Sequence, residues 1–81
     1  MKTITILNQF MNDKDMEISI FDKNGNTLLV GNAKDIYKVT TLLFREALIK
    51  MINFDYENDY INIFINIEVV KSWISTNLFL A

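Results

Sequence analysis

Histidine, cysteine and proline are all absent from this 81-residue chain, and glycine occurs only twice. Each absence removes a class of chemistry. Without Cys or His, neither a Ser-His-Asp nor a Cys-His nucleophilic arrangement can be built within one chain. Structural zinc sites on thiolate or imidazole go with them. The usual general base near neutral pH is missing too. Asp, Glu, Lys, Tyr, Ser and Thr remain, so the composition points away from an enzyme and calls for no cofactor. Lack of cysteine also rules out disulfide staples and fits a reducing compartment. No apolar run approaches the roughly 18 residues of a membrane span. The opening Met1–Asn8 stretch is too polar and too short for a signal peptide, so a cytoplasmic protein is expected.

What is present suits one small globular domain over residues 1–81. Hydrophobic residues make up 51% of the chain, enough for a true core. A domain of this size is still marginal, with about 5 kcal/mol of net stability. The formal net charge is −2, and the eight Lys and Arg residues are scattered. Nucleic-acid binding needs such charges clustered, so composition argues against it.

The strongest local signal is Ile18–Val30 around Asn24-Gly25, a dipeptide that supplies the positive φ angles of a two-residue hairpin turn. That turn pairs Lys23 with Asn26, Phe21 with Leu28 and Ile20 with Leu29. A second hairpin is expected around Glu57-Asn58. Ile61, Ile63, Ile65 and Ile67 alternate with Tyr60, Asn62, Phe64 and Asn66, and Ile52, Phe54 and Tyr56 alternate with Asn53 and Asp55. The turn then sets Phe54 opposite Ile61, Ile52 opposite Ile63 and Asn53 opposite Asn62.

Between the hairpins, Asn32 is an N-cap with Asp35 at the third helical position. Ile36, Val39, Thr40, Leu43 and Ala47 form the inward stripe, and Lys34, Lys38, Thr41 and Arg45 face away. This helix ends near Ala47 or runs on to Met51. Residues 3–11 are read as a short helix with Ile4, Leu7, Phe10 and Met11 inward, although Thr3-Ile4-Thr5-Ile6 equally suits a strand. Val69, Val70, Trp73, Ile74 and Leu78 recur at helical spacing, so residues 68–79 are read as a helix. The expected fold is α+β: a four-stranded, mostly antiparallel sheet from two β-hairpins, in the order α-β-β-α-β-β-α, with helices packed on it.

The layout resembles small phage and prophage accessory proteins of low-GC Gram-positive bacteria. The residues that carry the likeness are the short amphipathic opening, the strand Met16–Asp22, the Lys23-Asn24-Gly25 turn, the short strand ending in Gly31, and Asn32–Ile36. It covers roughly the first 36 residues, and its motifs are turn chemistry. The resemblance implies an accessory phage protein in a bacterial host and brings no activity or site residues with it.

Several motifs invite chemical readings. Asp55–Asp59 is acidic, but it fails the calcium-loop pattern: no Gly stands at the sixth position and Asn66 replaces the bidentate Glu. It is read as a solvated hairpin tip, and alternatively as a negative patch for a basic partner. Asp13 and Asp15 flank Lys14 in a turn where nothing would raise a carboxyl pKa. Asn24-Gly25-Asn26 lacks the Gly-Lys-Ser/Thr tail of a phosphate loop. Lys34, Lys38 and Arg45 make a short positive stripe without an interleaved aromatic platform.

Surplus apolar surface is more informative. One sheet face takes Ile18, Ile20, Leu29, Ile52, Phe54, Ile61 and Ile63. The other still carries Phe21, Leu28, Val30, Met51, Tyr60 and Phe64. Terminal helices, a second copy or a foreign partner could each cover it. The function expected is a non-enzymatic protein–protein interaction module, in its specific form a phage-encoded inhibitor of a host defence protein. The candidate contact residues are Tyr56, Glu57, Asp59, Tyr60, Phe64 and Trp73. The rival readings are a nucleic-acid-binding regulator and a self-assembling phage component; no metal, cofactor or membrane is expected.

Overall fold

The structure is a computed structural model, and it describes residues 1–68. The elements run α1 (Thr3–Gln9), β1 (Glu17–Phe21), β2 (Thr27–Gly31), α2 (Ala33–Leu43), β3 (Ile49–Asp55) and β4 (Tyr60–Ile65). The α+β class holds, but the full seven-element order does not. Two helices are found among the described residues. Glu68, the expected start of a third, is not helical, and the rest of that segment, Trp73 included, lies outside the described residues.

The four strands form one sheet in the order β2-β1-β4-β3. The outer ladders are the two hairpins and are antiparallel, whereas the central β1–β4 ladder is parallel. The sheet is therefore mixed, a correction to the mostly antiparallel expectation. Burial explains the arrangement. Ile18 and Ile20 on β1 and Ile61, Ile63 and Ile65 on β4 are almost wholly enclosed. Parallel ladders sit where both neighbours are covered, and these two strands are the most buried of the four.

The second hairpin keeps its expected register: Phe54 faces Ile61, Ile52 faces Ile63 and Asn53 faces Asn62. The first hairpin keeps Ile20 opposite Leu29, but a bulge then sets Phe21 against Thr27 instead of Leu28. The bulge follows from the loop. Asp22 is fully buried, and its carboxylate accepts from the backbone N–H of Asn24 and of Asn26, both at 2.9 Å, and from Asn26 Nδ2 at 3.0 Å. Gly25 carries φ +86° and has no heavy atom within 4 Å of where a Cβ would stand. The loop is thus longer than a two-residue turn, and glycine is used for its left-handed backbone.

Asn32 caps α2 as expected, its Oδ1 accepting from Asp35 N–H at 2.9 Å. The helix stops at Leu43, short of both expected ends. Its C-terminal turn is fixed from afar: Ala47 O accepts from Thr3 N–H at 2.9 Å and from Thr3 Oγ1 at 3.1 Å. This latch also fixes residues 3–9 as helix. Thr3 and Leu7 are its buried positions, and Phe10 and Met11 fall beyond its end. The two helices pack on each other and α2 touches β1 and β2, so both lie on the isoleucine side of the sheet.

Candidate protein-interaction surface

The face opposite the helices can be laid out from the strand registers. Side chains alternate along a strand, so residues paired across ladders share a side. Next to the loop of the first hairpin lies a row of Phe21, Phe64 and Met51. The middle row is Val30, Ser19, Asn62 and Asn53. The far row is Glu17, Tyr60 and Asp55. Phe21 and Phe64 stack with ring centroids 4.7 Å apart and planes 17° from parallel. Offset stacking of this kind holds two rings as one plate.

Around the plate, a depression of about 420 Å³ is lined by Lys23, Gly25, Lys50, Met51 and Phe64. Lys23 Nζ pairs with Glu68 Oε2 at 3.4 Å, both side chains being about half exposed. The opposite end of the sheet carries Glu17, Asp55, Glu57 and Asp59, all exposed. The surface is therefore polarised: lysines beside the aromatic plate, carboxylates at the β3–β4 tip.

The tip is built by its own acids. Asp55 Oδ1 accepts from Asn58 N–H at 3.2 Å, and Asp55 Oδ2 accepts from Asn58 Nδ2 at 2.9 Å. Asp59 holds the reversal with φ +54°, a left-handed conformation that Asp tolerates better than most residues. With Asp55 turned to the loop, Glu57 and Asp59 are left to face solvent. Among the described residues, no three acidic side chains converge as a metal site would require. Asp13 has a similar local use, its Oδ1 accepting from the N–H of Asp15 and of Met16, each at 3.1 Å.

The expected contact residues do not form one patch. Tyr60 and Phe64 lie on the open face. Tyr56 is 67% exposed and stacks on Phe54 at 5.4 Å, on the helix side of β3. Phe10 continues that row, its ring 6.4 Å from Phe54. Glu57 and Asp59 cap the tip between the two sides. Trp73 lies outside the described residues. Phe21 and Met51 share the open face with Phe64 but are outside the expected set, and their signal is the alternation that placed them with Phe64; Phe10 and Phe54 lie on the helix side.

On the sheet, exposed apolar residues include Met51 at 49%, Val30 at 54%, Phe54 at 41% and Tyr60 at 39%, and on α2 Leu42 is exposed further still, at 74%. Leu28, expected on the open face, is buried. The positive stripe is shorter than expected. Lys34 and Lys38 are exposed on α2, but Arg45 lies in the turn beyond it. No helix among the described residues is long and apolar enough to cross a membrane. Comparisons with protein-family models, with curated proteins and with solved structures find no match for this chain.

Proposed function

We propose that this chain is a non-enzymatic protein–protein interaction module that binds through the β3–β4 tip and the open face of its sheet. The observation that carries the reading is the company of exposed aromatic and acidic side chains there. Tyr56 and Tyr60 flank a tip whose Glu57 and Asp59 are free of the turn's own hydrogen bonds, and the Phe21–Phe64 plate lies further along the face that carries Tyr60. Aromatic anchors ringed by charge are the composition of interface centres. Acidic tips steer basic partners and speed their encounter. In its specific form the module is a phage-encoded inhibitor that occupies a basic functional surface of a bacterial defence protein. That form draws on the resemblance of the first 36 residues to phage accessory proteins.

Two measurements test it together. Expressed in a bacterium with an active defence system, the chain should raise the plating efficiency of a phage which that system restricts. The Glu57→Lys, Asp59→Lys double variant should lose the effect, and it should lose the defence protein that the wild-type chain retains on an affinity column. No rise in plating with any defence system tested, or equal retention by both forms, would overturn the reading.

A further inference from the structure

The outer edge of β3 has no strand beside it among the described residues. One end of that edge is closed by the N-terminus, where Ile49 N–H donates to Met1 O at 2.9 Å and Lys2 bridges Leu48. From Met51 to Asp55 no other described residue pairs with it. Natural sheets blunt such edges with proline, bulges or a covering segment. The bulge of β3 lies between Ile49 and Met51, so it leaves the open stretch regular, and the chain has no proline. The exposed apolar side chains of the stretch are Met51 on the open side, beside Asn53 and Asp55, and Phe54 with its stacked Tyr56 on the helix side.

We propose that two copies of this chain join antiparallel through β3, with the two-fold axis at Asn53, to make one continuous eight-stranded sheet. The register follows from the faces. Side chains directly opposite in an antiparallel pair must point to the same side. Centring on Asn53 sets Ile52 against Phe54, both on the helix side, and Met51 against Asp55, both on the open side. Charge selects the same arrangement. Lys50 stands at one end of the strand and Asp55 and Glu57 at the other, with no charge between. An antiparallel copy brings Lys50 beside the second copy's acids at both ends, whereas a parallel copy sets Lys50 against Lys50. The paired length matches the open length, ending at Met1 on one side and at the hairpin turn on the other. The β2 edge has no equivalent, because Thr27–Gly31 carries no charged side chain to fix a register. A ladder this short with one aromatic shoulder falls at the low end of specific interfaces, so the pairing is concentration-dependent. It would present two aromatic plates on one side of the joined sheet, which goes beyond the binding role proposed above.

The cysteine-free sequence makes the test clean. Sedimentation of the wild-type chain should show twice the monomer mass at high concentration, and Met51→Lys with Phe54→Lys should return it to monomer. Mild oxidation should convert Asn53→Cys largely to a disulfide dimer, because the axis places its two copies opposite each other. Val30→Cys, also exposed but on the other edge, should stay largely monomeric. Lys50→Glu should also abolish the dimer, and adding Glu57→Lys should restore it. A wild-type chain that stays monomeric up to about 1 mM, where even weak specific pairing is populated, overturns the proposal. So does a dimer indifferent to the β3 lysines, or cross-linking as ready at Val30 as at Asn53. Wild-type plating and capture are read separately, so a monomer that still captures its partner refutes the pairing and leaves the binding role intact.

Discussion

Asp22 is fully enclosed and organises the first hairpin by accepting from two backbone N–H groups and one side-chain amide. Removing a buried acceptor leaves its donors unpaired, at about 1–3 kcal/mol per group. Asp22→Ala is therefore expected to cost about 3 kcal/mol, most of the stability of so small a domain, and to lower the urea midpoint accordingly. Gly25→Ala meets no atom, so its cost is the backbone alone, about 1 kcal/mol for φ +86°. If the two substitutions cost the same, the carboxylate is not the organiser. Thr40 offers the opposite sign. Its Oγ1 is buried without a hydrogen-bond partner among the described residues, so Thr40→Val should stabilise by about 1 kcal/mol. The Asn-Gly pair disclosed the turn in the sequence, but not Asp22's place in it. An Asp three residues before a left-handed Gly is a turn signal in its own right. Read that way, it would have given the longer loop and the bulge.

At the scale of the element, legibility followed the range of the forces. The register of β3 on β4 could be read because Phe54/Ile61, Ile52/Ile63 and Asn53/Asn62 agree with a turn only a few residues away. The start of α2 could be read because Asn32 caps it locally. Its end could not. The apolar spacing continues to Ala47, but Ala47 O is held by Thr3, which packs in from the other end of the chain. Two substitutions separate these cases. Asn32→Ala should lose about 1 kcal/mol through the cap. Thr3→Val keeps the N–H donor and loses the hydroxyl one, so it should cost about 1 kcal/mol as well. The local change should reduce helicity in a peptide spanning residues 31–45, and the distant one cannot. An equal urea shift for both, with a peptide indifferent to Asn32, would show that the cap contributes only through tertiary packing. The candidate surface was partly legible for the same reason: alternation grouped Tyr60 with Phe64, while the stacking of Tyr56 on Phe54 set Tyr56 on the other side.

For the whole molecule, the decisive contact is the parallel seam between β1 and β4, and no local pattern encodes it. Residues 17–21 meet 60–64 across the whole of β2, α2 and β3, with α2 carrying the chain between the hairpins. In retrospect the density of isoleucine marks the two central strands, but an equal count would fit an antiparallel neighbour. The seam makes the hairpins one cooperative unit, since neither covers its isoleucines without the other and isolated two-stranded hairpins are marginal in water. Ile63→Ala leaves a cavity in the seam and should cost about 2–5 kcal/mol, at its upper end the whole net stability of so small a domain. Met51→Ala, on the half-exposed open face, should cost well under 1 kcal/mol in the monomer. Amide exchange then shows whether the unit is single. In Met51→Ala, the amides of β1 and β4 should exchange slowest and together, at the free energy of global unfolding. In the milder Ile63→Val they should fall by one common amount. If β1 kept its protection while β4 lost it, the hairpins would be opening independently, and the parallel seam would be a contact between two units instead of the core of one.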